Sequence, residues 1–137
     1  MIMVNKLQRV LTEATNSINE CVAAGYVDIQ TGLLLGVNTL DSHPSAVLEL
    51  VAAATADLFA GQNVTEIERM FKQARQSSSN RRYFQEIIVN SDNLIHIFIR
   101  GQRDENHVAV FVCRNKALLG MVLSQARKMM PALESAA

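Results

Sequence analysis

Tryptophan is absent, and two Tyr and five Phe are the only aromatic residues in 137. So few rings argue against a base-stacking platform, and no nucleic-acid partner is expected. Net charge is missing as well: thirteen Lys and Arg balance thirteen Asp and Glu, leaving no global field to steer the chain to polyanions. No run reaches the ~20 apolar residues needed to cross a bilayer, because Glu49 and Asp57 interrupt the best candidate, so no direct membrane insertion is expected. Lys6 and Arg9 lack an apolar h-region behind them, which speaks against a signal peptide. Two distant cysteines make a poor disulfide framework, and the cytoplasm is the default compartment. No catalytic constellation assembles either: there is no nucleophile elbow, no glycine-rich loop with a phosphate-binding lysine, and no marked carboxylate pair. Neither an enzyme nor a cofactor is expected. His43, His96 and His107 share no metal-ligand spacing and read as structural residues at a helix start, in a strand and at a strand start.

What the chain does have is apolar surface in one place. Pro44–Ala60, PSAVLELVAAATADLFA, carries Val47, Leu48, Leu50, Val51, Leu58 and Phe59 over roughly 180° of a helix. A helix on one sheet face needs a stripe of only about 100°. Leaving two of those side chains wet would forgo ~3–6 kcal/mol, against a net domain stability of ~5–15 kcal/mol. Two apolar partners are therefore expected, the domain's own sheet and a second surface, most simply another copy of the chain.

Around that helix the chain reads as one domain over residues 1–137, long enough to bury a core without staples. Met3–Asn19 places Leu7, Val10, Leu11, Ala14 and Ile18 on one helical face. Glu20–Asp28 alternates with apolar residues on both sets, as a strand inside a sheet does. Asp28–Gly32 supplies a turn into a return strand over Leu33–Val37, and Asp41–Pro44 opens the greasy helix. Gly61–Asn63 ends it, and a capping box, Thr65-x-x-Glu68, starts a short helix running to about Gln76. Ser77–Asn80 reads as a flexible linker. Three strands follow, Tyr83–Asn90, Leu94–Arg100 and His107–Cys113, the last apolar on both faces and hence central. Asn115 is placed to cap a final helix with Leu119, Val122, Leu123, Ala126 and Met129 inward, stopped by Pro131 and followed by a frayed tail. Five antiparallel strands with helices on both faces make a three-layer α+β sandwich.

Three patterns, in this order, resemble the Roadblock / dynein light chain family of profilin-like domains. They are the hairpin YVDIQTGLLLG (Tyr26–Gly36), the Ala- and Leu-rich helix directly after it, and the ending VFVCRNKALLGMVL (Val110–Leu123) with its Leu119-Gly120 step. One stretch departs: residues 65–82, helix plus serine linker, are longer than the family's usual connection. The resemblance implies strand order 2-1-5-4-3 and a homodimer or heterodimer made by pairing third strands and packing second helices. The expected interface is then Val47, Leu48, Leu50, Val51 and Leu58 from the helix, with Phe84, Glu86 and Ile88 from the pairing edge. It also implies a non-catalytic regulator or scaffold of a small Ras-like GTPase, or an adaptor in a motor or signalling complex. The rival reading is a small-molecule-sensing module, since a profilin-like sheet can enclose a pocket.

Two further constellations stay open. Arg69, Lys72, Arg75, Arg81 and Arg82 are either a docking patch for an acidic partner or a nucleotide phosphate, or a solvated face offset by Glu66 and Glu68. In the strand order implied by the resemblance, Cys21 and Cys113 fall close together, either as a redox pair or as two buried small hydrophobes.

Overall fold

A computed structural model describes residues 5–40, 45–75 and 81–137. The elements are α1 (Lys6–Ser17), β1 (Cys21–Asp28), β2 (Leu33–Thr39), α2 (Ser45–Ala60), α3 (Gln62–Ala74), β3 (Glu86–Asn90), β4 (Leu94–Arg100), β5 (His107–Arg114) and α4 (Leu119–Ala136). The strands form one antiparallel sheet in the order β2-β1-β5-β4-β3, the α+β arrangement expected. The stretches 41–44 and 76–80, with the expected helix opening and the whole serine linker, lie outside the described residues.

One face of the sheet is covered by α1 and α4, whose Leu7, Leu11, Val122 and Ala126 meet Ile97 and Phe111 in the larger core. The Asn5 side chain caps α1 by accepting the Leu7 N–H at 2.8 Å, and every inward residue of that helix follows the 3.6 period. Helix and strand approach so closely at Gly36 that a Cβ there would sit 2.9 Å from Leu11 Cδ1. On the other face Ala52 and Phe59 of α2 pack with Val27, Phe98, Val108 and Val110.

Four details differ from the sequence-based expectation, each for a local reason. The helix α3 begins at Gln62 with Gly61 as its cap residue, so Thr65 lies inside it and makes no capping box. Glu68 is instead buried, its carboxylate accepting from Arg82 (2.8 Å) and from the Tyr83 and Phe84 N–H groups. That capture shortens the third strand: with the N–H groups of residues 82–84 turned to the carboxylates of Glu105 and Glu68, the ladder starts at Glu86 rather than Tyr83. Asn115 does not cap α4, which starts at Leu119; the Leu118 N–H is taken by Asn19 Oδ1 at 3.1 Å. Pro131 stops nothing, for α4 continues to Ala136. Its last turn is held by buried Leu133 and by Glu134, which accepts the Arg103 N–H at 2.7 Å, outweighing the bond a proline forfeits. The inward face of α4 is accordingly Val122, Ala126, Met130 and Leu133, while Leu119 is exposed.

Candidate functional site

The surplus on α2 is visible. On α2, Leu50 is 70% exposed, Val51 43% and Leu58 36%, while Leu48 is half-buried. The side chain of Val47 lies outside the described residues. Beyond α2 the sheet ends in β3, which pairs with β4 and leaves its other edge open. Ile88 and Val89 on that strand are exposed. Glu86 is held by Arg127 of α4 at 2.7 and 2.8 Å, and those hydrogen bonds keep its carboxyl below the usual range despite partial burial. Phe84 lies outside the strand, half-buried and stacked edge-on against Tyr83 at 5.5 Å. The outer side of α3 adds exposed Ile67, Met70 and Phe71. Exposed apolar side chains on several neighbouring elements are the usual mark of an interaction site.

Four of the five basic residues converge on a shallow cleft of about 530 Å³, lined by Lys72, Arg75, Arg81 and Arg82 around Tyr83. They are not equivalent. Arg82 is an internal strut, bonded to Glu68 and, at 3.1 Å, to the Phe59 carbonyl. Arg75 lies over the Tyr83 ring at 5.7 Å. Lys72 donates to the Arg81 carbonyl, and Arg81 to Gln102. Arg69 stands apart, paired with Glu66.

Cys21 and Cys113 are cross-strand partners on β1 and β5. The Arg114 N–H donates to the Glu20 carbonyl (3.0 Å) and the Cys21 N–H to the Ile18 carbonyl (3.1 Å), which makes the cysteines a non-hydrogen-bonded pair. Such pairs hold their Cα atoms about 4.5 Å apart, within the ~4.4–6.8 Å window of a disulfide. Both thiols are free and buried. A hydrogen bond from Cys113 lowers the Cys21 pKa against the effect of burial, and the same contact, with burial, pushes Cys113 up. Stoichiometric diamide should therefore close an intramolecular disulfide. Thiol titration in denaturant should read two before treatment and none after; two persisting would leave the pair as buried small hydrophobes.

Sequence reasoning missed a groove. Between the N-terminal half of α2 and the sheet lies an open cleft of about 610 Å³, walled by Leu48 and Val51 of the helix and floored by Gly25, Val110 and Val112. His96 lines it, and the buried Nδ1 of that ring has no hydrogen-bond partner. The signal was in the strand parity: His96 shares a face with Phe98, which packs under α2. His107, by contrast, sits on the edge of Tyr26 at 5.2 Å with Asp104 at 3.4 Å, and His43 falls outside the described residues. Among the described residues no group of three or more His, Cys, Asp or Glu could hold a metal, and no helix is long and apolar enough to cross a membrane.

No protein-family model matches the sequence, and no curated protein matches it. Solved structures do resemble it. The gliding protein MglB of Thermus thermophilus superposes with a TM-score of 0.73 at 18% identity, over 100% of this chain and 93% of that one. A structure described as MglB with tetrameric arrangement gives 0.74 at 18% identity over the same shares, 100% and 93%. A Roadblock/LC7 domain from Streptomyces avermitilis gives 0.68 at 11% identity, over 93% of this chain and 94% of that one. The fold is that of the roadblock domain.

Proposed function

We propose that this chain, folded as roadblock domains are, is a non-catalytic cytoplasmic interaction domain. It pairs with a second copy and regulates or scaffolds a small Ras-like GTPase within a signalling or motor assembly. The observation that carries the pairing is the exposed apolar surface of α2, with Leu50, Val51 and Leu58 in water, together with the open edge of β3. Burying those side chains against their counterparts returns ~1.5–3 kcal/mol for each one fully covered, and the backbone groups of β3 gain ladder partners. The description of an MglB structure as a tetrameric arrangement supports self-association as a habit of this fold. The GTPase follows from the resemblance of the hairpin, helix and C-terminal strand–helix motifs. The cleft of Lys72, Arg75 and Arg81 is the docking patch for its acidic surface.

Light scattering behind a sizing column tests the pairing. Wild type should run as a dimer at tens of micromolar, and Leu50→Glu, at an exposed site, should stay folded and run as a monomer. GTP hydrolysis by a purified Ras-like GTPase of the source organism should change on adding wild type and not on adding Leu50→Glu. A monomeric wild type, or hydrolysis indifferent to the chain, overturns the corresponding half. One observation favours a second reading, that of a small-molecule-sensing module: the groove beneath α2, whose volume of about 610 Å³ falls among ordinary ligand sites.

A further inference from the structure

The groove under α2 is graded from end to end. Along β5 its floor runs Val110, Val112, Arg114; His96 of β4 lies beside Val112, and Lys116 lines the groove past Arg114. From Val110 to Arg114 is four residues of strand, about 13 Å. The inner end is aliphatic, closed by Val27 and Leu34. The outer end carries the cations Arg114 and Lys116, with the His96 imidazole two residues of strand inward beside Val112, and no carboxylate lines the groove among the described residues. Nearby Glu20 approaches Arg114 at 3.6 Å and Lys116 at 3.7 Å. Among the described residues, one carboxylate therefore serves two cations at the mouth.

The imidazole sharpens the point. A buried polar atom without a partner is costly, and His96, whose ring lines the cleft, holds such an atom in Nδ1. Apolar walls with a few convergent polar groups at one end are the usual build of a small-ligand site. The order of those groups also fixes the ligand's polarity: hydrocarbon inward, anion outward.

We propose that the groove between α2 and the sheet binds a single-chain amphipathic carboxylate, its alkyl chain along Val110 and Val112 and its carboxylate between His96, Arg114 and Lys116. This deepens the small-molecule reading and does not require the pairing of chains, although Leu48 and Val51 belong to both surfaces. His96 supplies a hydrogen bond from its ring, and the two cations supply charge. A neutral alcohol of the same length would fill the aliphatic part alone.

Titration calorimetry of the full chain with dodecanoate, below its micelle threshold, tests the assignment, with dodecanol as the uncharged match. One dodecanoate should bind per chain, about tenfold or more tighter than dodecanol. Lys116→Glu changes a side chain that is 70% exposed and leaves the core alone; it should remove that preference while dodecanol binding stays. His96→Leu should weaken dodecanoate and spare dodecanol. The proposal is overturned by dodecanoate that fails to saturate, or by a Lys116→Glu protein that weakens acid and alcohol alike. It is overturned too if dodecanoate dissociates the dimer in the same sizing experiment, for then a second copy of the chain is the groove's occupant. A wild-type monomer that still binds dodecanoate would sink the pairing and leave this site standing.

Discussion

Arg100→Ala should lower the stability of the fold by about 4 kcal/mol, the largest effect expected of any single substitution proposed for this chain. Arg100 is fully buried, and its guanidinium donates to three backbone carbonyls: Phe84 (2.8 Å), Glu105 (2.7 Å) and Phe59 (3.2 Å). It also lies over the Phe59 ring, 5.0 Å from the centroid. The Phe59 carbonyl belongs to the last turn of α2, where helical partners run out, and a positive charge there meets the negative end of the helix. Arg82 reaches the same oxygen from outside, at 3.1 Å. Truncation would orphan two loop carbonyls, weaken the end of α2 and open a cavity beneath Phe59. In urea the midpoint should fall by about 2 M, followed by far-UV circular dichroism. Arg100→Lys should recover only part, because one ammonium cannot span three acceptors set out for a planar fork. A midpoint within a few tenths of wild type for Arg100→Ala would show that water substitutes for the guanidinium.

Glu68→Gln should cost about 2–3 kcal/mol at neutral pH, and the loss should vanish in acid. Burial alone would raise the Glu68 carboxyl, but the Arg82 guanidinium and the Tyr83 and Phe84 N–H groups outweigh it and hold its pKa below the usual value. A carboxyl lowered by folding adds stability above its unfolded pKa, ~4.3, and loses it as pH falls through the folded value. Wild type should therefore lose its advantage over Glu68→Gln between about pH 4.5 and the acid limb. Parallel thermal melts from pH 7 to 3 would show the two curves converging; parallel curves throughout would mean that Glu68 titrates as a surface group. The side chain of Arg82 is 29% exposed, so the pair is valued below a fully buried one.

These two residues also mark where reading the sequence succeeds and where it stops. The α2 surplus was legible because it is a matter of amount: too many large side chains for one face, whatever the tertiary detail. The central places of β1 and β5 were legible from runs apolar on both sides. Glu68 was misread because Thr65-x-x-Glu68 satisfies a local capping rule, while the carboxylate is claimed by the Arg82 guanidinium fourteen residues on and by the Tyr83 and Phe84 N–H groups just beyond it. Local pattern cannot register that competition. Arg100 looks like the polar end of an apolar strand; only the meeting of α2's last turn with the loops before β3 and β5 makes it interior. Pro131 obeys a local rule too, overridden by Glu134 and Leu133. The strand order came through the resemblance, since periodicity says which face a residue takes and nothing about which strand lies beside it. The groove escaped because it is a gap, and gaps depend on where a helix settles.

The position of β1 between β2 and β5 has a consequence during synthesis. The β1–β2 hairpin can close as soon as it leaves the ribosome, but β5 follows roughly eighty residues later, a delay of about 4–16 s at cellular elongation rates. Throughout that interval one long flank of an apolar ribbon is bare and able to pair with any nascent neighbour. Slower initiation or added chaperone should therefore raise soluble yield by sheltering that flank until β5 arrives.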